Sequence, residues 1–262
     1  MTGPDLALFV QSPVLRQFAE IRHGSTKREF SSRETCRTEE ARRFQSIAGI
    51  PTEYPIVHGD QCHTSTVAFI GLEAELPEDP DRDGRSWILE TDGLVCARPG
   101  VTIAVYSADC VPILIYDPVK RVTAAIHAGW RGSLARISQV AVRRMVQDGG
   151  CDPEDLVAWI GPAAGPGYEV SPELADQFEE EFSEFPAFEF GWRNGRHVHL
   201  SVLNAIQMAA EGIPLSHVLQ SGWDTLAPNS PFFSYRRDGG PTGRIMTSIT
   251  ILRVEDMAGR RS

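Results

Sequence analysis

Two β-branched, apolar runs joined by a tight turn are the strongest constraint in this sequence. Val101 to Ser107 (VTIAVYS) has the alternation and composition of a strand. Pro112 to Tyr116 continues in the same style, and Asp117-Pro118 signals a turn. Val122 to His127 (VTAAIH) reads as the returning strand. Beyond it lies AGWRG, then Ser133 to Gln147, where Leu134, Ile137, Ala141 and Met145 recur at helical spacing. Ser133 is expected to cap that helix. Any fold for this chain must bury a central antiparallel pair and a helix that follows it.

The flanks add elements of both kinds. Helices are expected over Arg37 to Ala48, Pro172 to Phe182 and Leu200 to Glu211, the last stopped by Gly212 and Pro214. Strands are expected at Val157 to Ile160, His217 to Gly222 and Arg244 to Val254. The stretch Leu76 to Arg85 has the Pro, Asp and Gly content of an exposed loop, and GPAAGPG is too rich in Gly and Pro to be regular. Strands and helices mix without strict βαβ alternation, which favours the α+β class. The chain has 262 residues and no internal repeat, so it reads as one domain, 1–262.

Composition narrows the function. The formal net charge of −10 disfavours a nucleic-acid surface, which needs concentrated Lys and Arg. A few local arginines can still bind a small anion. No apolar run is long enough to span a membrane, and the first residues lack the basic start and apolar stretch of a secretory signal. A cytoplasmic protein is the expectation. The five cysteines form no CxxC, so free thiols or metal ligands are expected before disulfides.

Three residues stand out as chemistry: His58 in YPIVHGD, Cys110 in YSADCVP and His127 in AAIHAGWRG. Each follows a hydrophobic run and precedes Gly or Val-Pro or Ala-Gly, at the rim of a core. Two imidazoles and one thiolate suit zinc and leave a position for water or substrate. The wide separations match no short zinc motif. A small buried Cys with two hydrogen-bonded histidines, or a Cys nucleophile assisted by His or Asp109, fits the same residues. Asp109 is a candidate general acid or base, or a carboxylate that anchors a turn. Arg131, just before the expected helix, is a candidate anion ligand. Arg236, Arg237 and Arg244 in FFSYRRDGGPTGR form a second candidate anion surface.

TDGLVCARPG, SADCVPILIYD, AAIHAGWRG, WIGPAAGPGYEVS and FFSYRRDGGPTGR, in that order, resemble the YfiH-type laccase-domain purine nucleoside phosphorylases. The resemblance runs from about His58 to Leu252, with residues 1–50 divergent. It implies a single-domain, four-layer α/β/β/α sandwich. It implies a metal site, usually zinc, made by the His of VHG, the Cys of ADC and the His of HAGWRG, which carry over to His58, Cys110 and His127. It implies phosphorolysis of adenosine, inosine, guanosine or methylthioadenosine and, in some members, deamination of adenosine. Purine nucleoside and phosphate are then the partners.

The chain departs from the family wording in three places. Members usually carry Gln before VHG, where this chain has Ile56. Their N-terminal Thr-Arg-Gly-Gly loop has only IRHGSTKREFSS as a counterpart, and their cysteines before the final Phe-Ser segment are missing. Copper is a weaker expectation than zinc. A four-copper oxidase uses about ten histidines, largely in His-x-His pairs, because copper favours imidazole. This chain has seven histidines and one such pair, His197 and His199. A zinc- or Cys-dependent hydrolase of another small amide or nucleoside, and a metal-binding protein without catalysis, remain as alternatives.

Overall fold

In the computed structural model, which describes residues 8–30, 37–76 and 86–257, two six-stranded sheets lie face to face. Fourteen strands run in chain order as β1 (Phe9–Val10), β2 (Ile21–Thr26), β3 (Ile56–Gly59), β4 (Val67–Ile70), β5 (Ser86–Ile88), β6 (Gly93–Cys96), β7 (Thr102–Ser107), β8 (Val111–Asp117), β9 (Val122–Ala128), β10 (Val157–Ile160), β11 (Arg193–Asn194), β12 (His197–Val198), β13 (Val218–Gln220) and β14 (Ile245–Ile251). The helices are α1 (Arg37–Ala48), α2 (Trp130–Leu134), α3 (Ile137–Gly149), α4 (Pro172–Glu181), α5 (Ala187–Phe190), α6 (Leu200–Ala210) and α7 (Val254–Met257). The first sheet has the order β1-β2-β14-β7-β3-β5 and the second β13-β10-β8-β9-β6-β4. Both mix parallel and antiparallel pairs.

Strand alternation sorts the side chains into layers. Ile103, Val105, Ile249 and Ile251 of the first sheet meet Leu114, Tyr116, Ala125 and Trp159 of the second in the core between the sheets. The alternate residues Ile56, Ala104, Tyr106 and Met246 face outward and pack under Ala41, Phe44 and Ala48 of α1. On the far side, Ile113, Ile115, Ala124 and Ile126 are covered by α3 and α6 through Ala141, Val142, Met145, Leu203 and Ile206. The expected α/β/β/α sandwich is therefore the observed one, in a single domain.

The central hairpin, β10, β13, β14 and the helices at α1, α4 and α6 fall where the sequence places them. The helix after AGWRG does not. It is two helices, broken at Arg136, whose φ of 60° is left-handed. Ser133 does not cap α3: its Oγ is buried, donates to the Ala128 carbonyl and accepts from Asn204 Nδ2. Arg136 holds the break through Glu181 and Glu184 at 2.6 and 2.7 Å. Ser171 does cap α4, accepting from Leu174 N. Most of the expected loop at Leu76 to Arg85 lies outside the described residues.

One buried histidine makes the fold pH-sensitive away from any site. His23 of β2 lies between the sheets against Trp159, and its Nε2 accepts the Ser12 N–H at 2.9 Å, which requires a neutral ring. Burial, reinforced by Arg16 and Arg22, pushes its pKa down to about 3. The unfolded chain takes up a proton near 6.5 that the folded chain refuses, so stability falls as pH drops from 6.5 towards 3. At pH 5 this group alone should remove about 2 kcal/mol relative to pH 7. Urea unfolding of wild type and His23→Gln at both pH values checks it. An unchanged pH difference in the variant contradicts the assignment.

Candidate metal centre

Among the described residues, one group of side chains can hold a metal ion: His63, Cys110 and His127, whose ligand atoms all lie within 4.8 Å of one another. His63 Nε2 is 3.9 Å from Cys110 Sγ, and the two imidazoles stand edge to face with centroids 5.0 Å apart. Ligands at ordinary zinc bond lengths sit about 3.5 Å from each other on a tetrahedron. The donor set and spacing fit such an ion with little movement. The group grades from buried His127 through half-buried Cys110 to exposed His63, so its fourth side faces solvent.

Each member is held by a different local device. His127 is the penultimate residue of β9, paired with Pro112 of β8, and alternation aims it into the space between the sheets. Cys110 immediately precedes β8, behind a kink at Asp109, whose φ is 87°. That kink is buttoned down on all sides. Asp109 Oδ1 accepts from Thr225 Oγ1 at 2.6 Å, its Oδ2 accepts from Arg236 N at 2.8 Å, and its carbonyl accepts from Ala164 N at 2.9 Å.

His63 sits in a loop, itself at φ 61°, between two anchors. Before it, the Gln61 amide exchanges two hydrogen bonds of 2.7 Å with the backbone of Tyr106, continuing the ladder where β3 has ended. Around it, Asp92 accepts from the N–H groups of Cys62, His63 and Thr64. The same carboxylate accepts from His127 Nδ1 at 2.9 Å, leaving Nε2 to face the group. Gly129 lets the walls meet: a Cβ there would lie 2.9 Å from His63 Cδ2 and 3.0 Å from Cys110 Sγ.

Charge follows geometry. Burial pushes the Cys110 thiol up, but the positive His127, and His63 beside it, outweigh burial and bring it below the ordinary thiol value. Burial pushes His127 down, and the Cys110 and Asp92 charges outweigh it and raise it. Burial raises Asp92, but its bonds to His127 and Thr64 dominate and hold it below the ordinary carboxylate value.

Cys110 and His127 are brought together as expected; His58 is not with them. His58 belongs to β3, where Val57 faces the inter-sheet core and His58 therefore faces the α1 side. Its ring packs at a tilt against Trp87 and Tyr106, with centroids 5.3 and 5.1 Å away. Its neighbour Gly59 has a separate task. A Cβ there would stand 2.1 Å from the Thr91 carbonyl, so glycine lets the Thr91-Asp92 segment cross and reach the His63 loop. The missed residue had a sequence signal: Gln61-Cys62-His63 carries the Gln two places before a His that Ile56 denies to His58.

The arginines divide by role. Arg237 donates to the carbonyls of Thr225, Ala227 and Phe232, and Arg244 to those of Thr242 and Gly243, so both pin loops. Arg131 is exposed and lies over the Trp130 ring at 4.2 Å. Arg236 is exposed, covers the Tyr168 ring at 4.9 Å and donates to the Glu169 carbonyl. Burial, and after it the Cys110 charge, raise the Tyr168 phenol, with Arg236 opposing. The loop GPAAGPG lines a cavity of about 140 Å³ with His199, Trp223 and Asp224, and that cavity includes none of the three clustered residues.

The cysteines at 62, 96, 110 and 151 are free thiols, and no helix among the described residues is long and apolar enough to cross a membrane.

Comparison with known proteins agrees with this architecture. The family model described as multi-copper polyphenol oxidoreductase laccase matches residues 28–252. A purine nucleoside phosphorylase of Deinococcus radiodurans is 39% identical over 65% of this chain, and the match spans 65% of that protein, just under two thirds. A purine nucleoside phosphorylase of Bacteroides thetaiotaomicron is 32% identical over 83% of this chain and 80% of its own length. The adenosine deaminase RL5, from an unknown prokaryotic organism, is 32% identical over 72% of each chain. The crystal structure of YlmD from Geobacillus stearothermophilus superposes with a TM-score of 0.80 at 26% identity, covering 94% of this chain and 99% of that one.

Proposed function

The chain belongs to the family described as multi-copper polyphenol oxidoreductase laccase, and on that premise we propose that it is a zinc-dependent purine nucleoside phosphorylase. The observation that carries the proposal is the solvent-facing His63, Cys110, His127 group in a fold whose relatives bear that activity in their names. Seven histidines, with a single His-x-His pair, are too few for the four-copper set of a multicopper oxidase, which uses about ten. Adenosine, inosine, guanosine and methylthioadenosine are the proposed nucleosides.

The bond to break joins the anomeric carbon of ribose to a purine nitrogen. As it lengthens, positive charge grows on the sugar and negative charge on the base. Phosphate oxygen then bonds to the anomeric carbon, giving ribose 1-phosphate, and the base leaves with a proton. His63 Nε2, Cys110 Sγ and His127 Nε2 would hold zinc, which when bound supplies a Lewis-acid centre for a substrate oxygen or water. Of the four candidate anion ligands, Arg131 and Arg236 are the exposed pair and would receive phosphate through charge-assisted bonds. Tyr168, a phenol under the Arg236 guanidinium, can donate a hydrogen bond to the developing anion. Asp109, with both oxygens engaged, positions Cys110 through the kink and tethers the Arg236 backbone.

Product analysis tests the reading. Inosine with phosphate should give hypoxanthine and ribose 1-phosphate, with a rate that saturates in phosphate, and almost no base without it. Arg131→Ala and Arg236→Ala should raise the apparent KM for phosphate more than that for nucleoside. Base and free ribose formed without phosphate would make the protein a hydrolase. Adenosine converted to inosine with the sugar attached would match the RL5 relative instead. No turnover at all would leave a metal-binding protein without catalysis.

A further inference from the structure

We infer that Asp92 is the positioning residue of the metal centre, joining His127 and the His63 loop through one carboxylate. The inference rests on the reading that His63, Cys110 and His127 hold a metal ion. Asp92 is fully buried at 1% exposure, yet five donors converge on its two oxygens. Oδ1 accepts from His127 Nδ1 at 2.9 Å and His63 N at 3.0 Å. Oδ2 accepts from Cys62 N at 3.1 Å, Thr64 N at 2.7 Å and Thr64 Oγ1 at 2.8 Å. Its backbone adds two bonds: its carbonyl accepts from His127 N at 2.7 Å, and its N–H donates to the Thr66 carbonyl at 3.1 Å.

The two halves do different chemistry through the same group. A carboxylate facing Nδ1 keeps a proton on that nitrogen, so the nitrogen that would bind a metal is Nε2, the atom that faces the cluster. The other contacts fix a loop that has no ladder of its own. Cys110 stands on a separate strand with separate anchors. Metal affinity therefore depends on how well Asp92 sets the two histidines against a thiolate already fixed.

Asp92→Asn separates this from a general packing role, because the shape is kept and the acceptors are not. If the amide nitrogen replaces Oδ1, it faces the His127 and His63 donors and drives His127 to the tautomer with a proton on Nε2. If it replaces Oδ2, three donors of the His63 loop lose their acceptor. Either way the site is misset.

The test is competition for zinc against a chromophoric chelator, with wild type, Asp92→Asn and Thr64→Val. Asp92→Asn should bind zinc about 10- to 100-fold more weakly. Its cobalt derivative should show an altered thiolate charge-transfer band. Thr64→Val removes one of the three Oδ2 donors and the acceptor of the Thr66 N–H but leaves the His127 bond, and should weaken zinc binding several-fold less than Asp92→Asn does. Nitrogen-15 shifts of zinc-loaded wild type provide a readout that needs no folded variant: His127 should carry its proton on Nδ1 and its ligand bond on Nε2. Wild-type zinc affinity in Asp92→Asn, or ligation through Nδ1, overturns the inference while the metal reading stands. Wild type that binds no zinc overturns both.

Discussion

Replacing His63 by Ala should abolish stoichiometric zinc binding, whereas replacing His58 by Ala should leave it. Wild type is expected to purify with about one zinc per chain, and loss of one of three protein ligands leaves a pair that binds far more weakly. Zinc content of His63→Ala should fall to near zero, and base release with it by about 100-fold or more. Cys110→Ala should behave the same way. His58→Ala instead removes a ring packed between Trp87 and Tyr106 on the α1 side of the first sheet. It should cost about 1–3 kcal/mol of stability and keep the zinc. Metal analysis by mass spectrometry, paired with thermal unfolding, reads both. Zinc lost from His58→Ala and kept in His63→Ala would invert the assignment.

Gly129→Ala should be nearly as damaging, although it adds one carbon. The backbone at Gly129 is extended, at φ −70° and ψ 175°, so alanine meets no conformational penalty there. The penalty is contact. The new Cβ would stand 2.9 Å from His63 Cδ2 and 3.0 Å from Cys110 Sγ. Asp92, Gln61 and Asp109 hold the backbone on both sides, so relief comes only from turning the His63 ring and the Cys110 thiol, which takes them out of their ligand positions. Overpacking of this kind costs about 1–3 kcal/mol. Here that strain falls on two metal ligands, so zinc affinity should drop about 5- to 150-fold, since each 1.4 kcal/mol is a factor of ten. Gly71→Ala, whose Cβ would meet only Phe69 at 3.5 Å, is the matched control and should bind zinc as wild type does. Equal affinity in Gly129→Ala would show that the ligands are not held as described.

The central hairpin was legible because β7, β8 and β9 are six or seven residues long and rich in branched side chains. Period and composition both register at that length. The strands β3 to β6 have three or four residues each, too few for alternation to show, and they carry His58. The words IVHG fitted the family pattern, yet one step of strand parity decides which face a side chain takes, and His58 falls on the α1 face. His63 escaped notice because its position rests on no strand. It depends on Gln61 reaching Tyr106 and on Asp92 reaching from the far side of Gly59, contacts made across 45 and 29 residues. The break at Arg136 was equally silent, since a left-handed residue that is neither Gly nor Asn carries no local signal. Cys110 and His127 were readable as a pair because neighbouring strands of one hairpin bring their ends together whatever surrounds them.

The most direct test is a crystal structure of the zinc-loaded protein with anomalous data on both sides of the zinc edge. One anomalous peak should lie between His63 Nε2, Cys110 Sγ and His127 Nε2, with nitrogen at about 2.0–2.1 Å, sulfur at about 2.3 Å and the fourth position open to solvent. A peak at His58, or full zinc content with no peak beside Cys110, would contradict the account.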